Sequence, residues 1–186
     1  MSAICARAAA LLSQESGCRL GADIRLEKRL PRGSGLGGGS SDAATTLLVL
    51  NRLWGVGWGR ERLLELALKL GADVPVFVYG ENAFAEGVGE KLRAIELPPA
   101  WYLVLTPPVE VSTAGIFSDS QLTRDTKPIK IPDFSVGYGR NDLEAAVCRK
   151  YPAVAEYLAR LRQFGAAAMT GSGACVFAAF ATEDEA

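Results

Sequence analysis

Five glycines fall within the seven residues 33–39, and this run constrains the fold more than any other stretch of the chain. Glycine has no Cβ, so such a backbone can turn tightly and direct several N–H groups at one bound anion. A helix-like apolar run follows, and the start of a helix adds free N–H donors and the positive end of its dipole. The segment therefore predicts a phosphate-binding loop, with these members: Pro31, Arg32, Gly33, Ser34, Gly35, Leu36, Gly37, Gly38, Gly39, Ser40 and Ser41.

Three familiar kinds of glycine-rich segment fit this run less well. A Walker A loop needs a lysine directly after its last glycine, and no lysine lies between Lys28 and Lys69. A dinucleotide-binding fingerprint matches in spelling at Gly33, Gly35 and Gly38, but it needs a second strand after the helix, where this sequence predicts another helix. A flexible linker is usually polar on both sides, whereas this run lies between apolar periodic segments.

The composition argues against several classes of function. The chain contains no histidine, so it supplies no histidine zinc ligand, no Ser-His-Asp triad and no imidazole base. A net charge of −1 gives no indication of binding to nucleic acid or to an acidic membrane. No apolar run approaches the roughly 20 residues that cross a bilayer. Four cysteines without a Cys-x-x-Cys pair predict reduced thiols and a cytoplasmic location.

The hydrophobic patterns predict helices and strands that alternate without a βαβ rhythm, which indicates an α+β fold. Helices are predicted over 4–14, 61–70, 115–120, 141–150 and 154–164, and from a cap at Ser40 or Ser41 to residue 54, with Asp42 in its first turn. Strands are predicted over 24–30, 76–79, 83–85, 101–105 and 174–181, with a turn at 86–90. The helix that ends at residue 54 is apolar on nearly every side, so we expect it to be deeply buried.

Asp73 is an acid in an otherwise apolar stretch, two residues before Pro75. One interpretation is an N-cap with proline in the first helical turn. The other is a carboxylate that orients a substrate hydroxyl, or accepts its proton, during phosphoryl transfer. The local sequence favours neither.

A second glycine turn, at Gly171, Ser172 and Gly173, opens the last predicted strand. Alone it is typical of a hairpin. Beside a phosphate loop it becomes a candidate wall of the same site.

The order of Pro31, Gly35-Leu36-Gly37 and Ser40-Ser41 resembles the signature of the GHMP kinase family. This family is named after galactokinase, homoserine kinase, mevalonate kinase and phosphomevalonate kinase. The stretches 71–77, 84–90 and 169–177 are similar to the branch of the family that acts in non-mevalonate isoprenoid (terpenoid) biosynthesis. The likeness runs from about residue 4 to the last residue.

The resemblance implies a GHMP kinase fold in two incomplete lobes. Residues 1–98 would form an N-terminal lobe like ribosomal protein S5 domain 2, and residues 99–186 a ferredoxin-like C-terminal lobe. The implied activity is a small-molecule kinase that transfers the γ-phosphoryl of ATP to the 2-hydroxyl of a substrate carrying a cytidine diphosphate group. ATP chemistry in turn implies Mg²⁺, because a divalent ion must neutralise the phosphate oxygens, and Ser41 and Asp42 are candidates to hold it.

Roles for single residues also come from the resemblance. The 31–41 loop would bind the ATP phosphates, and Asp73 matches the family's catalytic aspartate. Thr113 aligns with a polar residue near the transferred phosphate, and Phe117 with an aromatic that stacks on cytosine, for which its flat apolar face is suitable. The remaining substrate-side positions are Val88, Gly89, Gly171, Ser172 and Gly173.

One departure from the family concerns its N-terminal strand segment, which carries a catalytic lysine and a substrate-binding histidine. This chain has no histidine, and Lys28 and Lys69 do not match the lysine's position. We therefore expect a fragment with weak catalysis, and with a sheet edge and an apolar surface uncovered.

Two alternatives stay open at this point. One is another GHMP kinase, of the mevalonate or homoserine type; the triple glycine before Ser40 and the 71–75 run favour the isoprenoid branch over it. The other is a non-catalytic nucleotide-binding module, which the missing lysine and histidine support.

Overall fold

The computed structural model describes residues 3–31, 33–127 and 139–186, and it has the mixed helical and sheet content of an α+β protein. The helices in the described residues are α1 Ala3–Ser16, α2 Gly38–Leu53, α3 Arg60–Leu70, α4 Val74–Tyr79, α5 Thr113–Phe117, α6 Asp142–Lys150 and α7 Pro152–Leu161. The strands are β1 Ala83–Glu86, β2 Lys91–Ala94, β3 Trp101–Leu105, β4 Ala167–Met169 and β5 Val176–Phe180. No helix in the described ranges combines the length and apolarity that crossing a membrane requires.

The chain divides into two compact units. The first unit is Met1–Lys28 with Gly37–Glu96, and the second unit is Arg29–Leu36 with Leu97–Ala186. The division falls within the glycine loop. Its residues up to Leu36 belong to the second unit, and those from Gly37 belong to the first.

Helices α1 to α4 enclose the core of the first unit. On α2 the buried side chains Ala43, Leu47 and Leu50 recur at the spacing of one helical face. They pack with Leu12 of α1 and Leu66 of α3 in one apolar cluster. Burial of this shared stripe, more than intrinsic helix propensity, stabilises the helices.

The predicted burial of α2 is wrong for its outer face. Leu48, Val49 and Leu53 are 40%, 54% and 65% exposed. The helix also begins earlier than predicted, because Gly37 in the left-handed region takes the N-cap position and no side chain caps it. Ser40 and Ser41 consequently lie inside the helix, and Asp42 lies beyond its first turn.

The strand predicted over 76–79 is wrong, since these residues belong to helix α4. The β-branched and aromatic run is typical of a strand, but Pro75 in the first turn favours a helical start. Val74 and Val78, four residues apart, are both buried against the first-unit core. Gly80, with φ 78°, ends the helix in the left-handed conformation.

The strand predicted over 24–30 is also absent. Residues 18–29 form no helix or strand, and no strand of the described part of the chain pairs with them. The alternation of apolar and charged residues over 24–30 did indicate one inward side chain, since Ile24 packs on the core of the first unit. The strand at 83–85 is confirmed as β1, and it pairs antiparallel with β2, which was not predicted.

The second unit contains a three-stranded antiparallel sheet in the order β3-β5-β4. Leu103 pairs with Ala178, and Ala167 pairs with the same residue from the other side. Helices α6 and α7 supply Val147, Val154 and Leu158 to the core beneath this sheet. The predicted strands at 101–105 and 174–181 and both predicted helices after residue 140 are confirmed within a few residues.

Candidate functional site

In the second unit the first part of the glycine loop lies along the start of β5. The carbonyl of Gly33 accepts a hydrogen bond from Ala174 N at 2.8 Å, and that of Ser34 accepts from Cys175 N at 3.2 Å. Thr170 Oγ1 donates to the Ser34 carbonyl at 2.6 Å. The backbone of the loop at Gly33 and Ser34 is thus fixed by two main-chain donors and one side-chain hydroxyl.

Gly35 brings the two glycine motifs into direct contact. Its φ is 70°, and a Cβ at this position would overlap the carbonyl oxygen of Thr170. From the other side, a Cβ on Gly171 would lie 3.2 Å from the carbonyl oxygen of Gly35. Only glycine allows this close backbone approach, so the second turn does border the loop.

Asn141 supports the second glycine turn, a role that its sequence context does not predict. Its Nδ2 donates to the carbonyls of Gly171 at 2.7 Å and Met169 at 3.1 Å. Its Oδ1 accepts from Leu143 N and caps helix α6. The only sequence signal is an asparagine immediately before a helix, which predicts a cap but not a second partner.

Helix α5 places Thr113 beside the same turn. Thr113 Oγ1 and Ser172 Oγ are 2.9 Å apart and share a hydrogen bond. At the other end of α5, Phe117 is 52% exposed. The second unit therefore gathers Thr113 and Ser172 beside the two glycine turns.

In the first unit the rest of the loop becomes the start of α2. The first backbone bond within the helix runs from Ser41 N to Gly37 O at 2.9 Å. The N–H groups of Gly38, Gly39 and Ser40 precede that bond, so they have no partner in the helix. Such amides can bind an anion, with the helix dipole adding to the attraction.

Lys28 and Asp42 form an ion pair at this helix start, with Nζ and Oδ2 2.6 Å apart. The sequence draws attention to both residues but does not predict their contact. The described residues contain no group of three or more acids and cysteines arranged to hold a metal ion. The Ser41 hydroxyl and the Asp42 carboxylate, predicted from the sequence as candidates to hold Mg²⁺, both lie in the first residues of α2.

Asp73 occupies the N-cap position of α4, yet its side chain makes no capping hydrogen bond. The N-cap interpretation is therefore correct for the backbone position of Asp73, but its carboxylate does not cap the helix. The residue is exposed, and no hydrogen bond or ion pair joins its carboxylate to another residue in the described ranges. An exposed carboxylate held at a helix start is free to meet a substrate hydroxyl.

The turn between β1 and β2 packs on the backbone next to Asp73. Gly89 has φ 103°, and a Cβ there would overlap the carbonyl oxygen of Ala72. Glu90 Oε2 accepts from Val88 N at 2.7 Å and closes the turn. Hydrogen bonds from its own N–H and from Val88 N–H hold the pKa of Glu90 below its usual range. Val88 itself is exposed.

The structure describes one of the first two predicted loop residues. Pro31 is exposed at the entry to the loop, and Arg32 lies outside the described residues.

Comparison with known proteins identifies two matching family models. Residues 3–81 match the GHMP kinases N-terminal domain, and residues 134–186 match the GHMP kinases C-terminal domain. A protein of Nitrosospira multiformis named 4-diphosphocytidyl-2-C-methyl-D-erythritol kinase is 69% identical over 183 residues, and one of Aromatoleum aromaticum with the same name is 61% identical over 180. Each alignment covers 97% of this chain.

A solved structure matches as well. It is titled as a crystal structure of 4-(cytidine 5'-diphospho)-2C-methyl-D-erythritol kinase, and it superposes with a TM-score of 0.83 at 34% identity. The match covers 99% of this chain and 71% of that one. The chain spans 62% and 63% of the length of the two curated relatives.

Proposed function

The chain belongs to the GHMP kinase family, and we propose that it transfers the γ-phosphoryl of ATP to the 2-hydroxyl of 4-diphosphocytidyl-2-C-methyl-D-erythritol. This is a step of non-mevalonate isoprenoid biosynthesis. The observation that carries the proposal is the contact of Gly35 with Thr170 and Gly171, which leaves no room for a side chain at position 35 of the loop. The names of the relatives, which match nearly the whole chain, support the choice of substrate.

The ATP phosphates would be bound by the loop from Pro31 to Ser41. Support comes from the amides at the start of α2 that have no partner within the helix, and from the backbone bonds that fix Gly33 and Ser34. Backbone N–H groups that are already in place need no reorganisation when charge develops on the transferred group.

Asp73 would act on the acceptor. Its exposed carboxylate can accept a hydrogen bond from the substrate hydroxyl and take its proton as the new bond to phosphorus forms. The packing of Gly89 on Ala72 would keep this carboxylate at a constant position.

The substrate would contact Val88 and Gly89 and the second-unit residues Thr113, Phe117, Gly171, Ser172 and Gly173. Phe117 has the exposed flat face that stacking on cytosine requires. One proton of the hydrogen-bonded hydroxyls of Thr113 and Ser172 can be donated to a phosphate oxygen.

Magnesium fits the oxygen ligands at the start of α2. Mg²⁺ is usually held by one or two carboxylates together with substrate phosphates, so the Asp42 carboxylate and the Ser41 hydroxyl would suffice. When bound, the ion would neutralise charge on the phosphate oxygens. The ion pair with Lys28 orients the Asp42 carboxylate.

We also propose that the family's two lobes correspond to residues 1–98 and 99–186, and that the protein is cytoplasmic. The boundary between Glu96 and Leu97 supports the first proposal, although 29–36 group with the second unit. Four free thiols support the second.

A panel of acceptors with γ-labelled ATP tests the proposed function. Labelled product is expected with 4-diphosphocytidyl-2-C-methyl-D-erythritol and not with the same polyol phosphate lacking the cytidine group, mevalonate or homoserine. Transfer to mevalonate or homoserine would identify a different GHMP kinase. ATP binding without transfer to any acceptor would support a non-catalytic nucleotide-binding module.

A further inference from the structure

Helix α5 is too short to be stable by itself. It has five residues, Thr113–Phe117, and isolated helices need at least about 12 to be even marginally stable in water. Its orientation must therefore be fixed by contacts with the rest of the second unit. One such contact is the side chain of Ile116, which is fully buried in the core.

Lys150, the last residue of α6, makes two of these contacts. Its Nζ donates to the carbonyl of Gly115 at 2.9 Å and lies 3.0 Å from Asp119 Oδ2. Asp119 follows α5 closely, and its side chain is only 10% exposed. One ammonium group thus binds both a carbonyl within α5 and the chain just after it.

Asp119 is itself held from three sides. Its Oδ1 accepts from Gln121 N at 2.8 Å, and Arg149 lies 3.6 Å from the same oxygen. Hydrogen bonds from Gln121 N–H and Lys150 hold the pKa of Asp119 below its usual range, so the carboxylate is charged at neutral pH.

The other end of α5 contacts the residue that follows Lys150. Ser112 N donates to Tyr151 Oη at 3.3 Å, and Ser112 Oγ caps the helix by accepting from Gly115 N. Both ends of α5 are therefore attached to the C-terminal end of α6. A rotation of α5 about its own axis would break these contacts together.

We propose that Lys150 and Asp119 are positioning residues for substrate, because they fix the helix that carries Thr113 and Phe117. This inference rests on the proposed function, in which those two side chains contact the cytidine diphosphate end of the substrate. Neither charged residue touches the ligand. Both residues contact α5 or the chain just after it and neither belongs to the apolar core of the second unit, so their removal acts mainly on the orientation of α5.

Lys150→Met removes the ammonium and keeps much of the apolar stem. The matched control is Arg160→Met, which breaks the exposed pair of Arg160 with Glu156 within α7. Asp119→Asn is a second test variant, which keeps an acceptor for Gln121 N. Lys150→Arg keeps the positive charge, so we expect its amide exchange and its CDP affinity to be close to those of the wild type.

Two measurements are made on each variant of the full chain. Hydrogen exchange is followed at the α5 amides Ile116 and Ser118, which donate to Ser112 and Ala114 carbonyls. Affinities for CDP and for a non-hydrolysable ATP analogue are measured by calorimetry. We expect about tenfold faster exchange and about tenfold weaker CDP binding in Lys150→Met and Asp119→Asn, with unchanged ATP-analogue affinity and no effect in Arg160→Met.

If hydrogen exchange at Ile116 and Ser118 is unchanged in both test variants, Lys150 and Asp119 do not fix the orientation of α5. Faster exchange with an unchanged affinity for CDP would show that Lys150 and Asp119 fix α5 but do not position the substrate. A wild-type chain that binds no CDP would contradict the proposed function and the substrate part of this inference. The exchange result would still decide whether Lys150 and Asp119 fix α5.

Discussion

Thr113 Oγ1 and Ser172 Oγ lie 2.9 Å apart, and this hydrogen bond joins helix α5 to the turn that opens β5. Two residues singled out separately in the sequence as substrate-side positions therefore act as one group. One of the two hydroxyls donates in this bond, so the accepting hydroxyl keeps its proton and can donate it to a phosphate oxygen.

Thr113→Val and Ser172→Ala should consequently be non-additive. Each single change removes the same bond and leaves the partner hydroxyl free to rotate, so we expect each to lower kcat/KM for the cytidine-bearing substrate by about tenfold. The double variant should be little worse than either single variant. Fully additive losses in a double-mutant cycle would show that the two hydroxyls act independently.

Gly35→Ala should destabilise the second unit. A left-handed alanine costs about 1–3 kcal/mol, before the overlap with the Thr170 carbonyl is counted. The control is Gly39→Ala, where a Cβ meets no atom within 4 Å and replaces a helical glycine. That control should be neutral or slightly stabilising. Denaturant unfolding of the ligand-free chain measures both, and equal stability of the two variants would contradict the close contact.

Asp73→Asn should abolish most phosphoryl transfer without changing affinity for the ATP analogue. Loss of a positioned acid–base group typically lowers kcat by about 10²–10⁴. Asp23→Asn, at an exposed acid of the same unit, is the control and should keep full activity. If Asp73→Asn transfers phosphate at the wild-type rate, the carboxylate has no catalytic role.

Glu15 should make the stability of the first unit depend on acid pH. Its carboxylate accepts from Lys69 and lies 3.2 Å from Arg62, and the Lys69 hydrogen bond is the main reason that its pKa is lowered from the ordinary value of 4.5. A lowered folded pKa gives stability that is fully present above 4.5 and is lost as the pH falls through the folded pKa.

A comparison of the wild type with Glu15→Gln checks whether this stabilisation is lost, and not gained, as the pH falls. The difference in unfolding free energy should be constant near neutral pH and shrink as the pH falls below about 4.5. Glu96→Gln, at an exposed carboxyl outside the helices, should follow wild type throughout. A difference that grows on acidification would show that the Lys69 contact does not stabilise the charged carboxylate.

The sequence predicted the elements whose signals are local. Helix α1 lies within two residues of its predicted bounds, and Gly17, with φ 69°, follows its last residue. Asn141 stands immediately before α6, where its residue type favours a cap. The glycine loop was recognisable because its chemistry depends on consecutive residues. The same holds for the strand at 101–105, which is apolar and ends before prolines.

What the sequence could not predict depends on partners distant in the chain. The bond between Ser34 and Thr170 joins residues 136 apart, and nothing near either residue indicates the other. Helix α4 was mistaken for a strand because the burial of Val74 and Val78, not their β propensity, decides its conformation. Lys150 shows no motif, and its role follows only from the packing of α5 on α6.

The most direct test of a phosphate site in the glycine loop is calorimetric titration of the chain with a non-hydrolysable ATP analogue and Mg²⁺, with Gly37→Val as the loop variant. Gly37 has φ 69°, and a Cβ there would lie 2.7 Å from the Phe77 ring, so valine must distort the start of α2. Gly21→Ala, where a Cβ meets no atom within 4 Å, is the control. We expect one saturable site in wild type and in Gly21→Ala that is lost in a folded Gly37→Val. No binding to folded wild type, or equal binding to all three, would contradict a phosphate site in this loop.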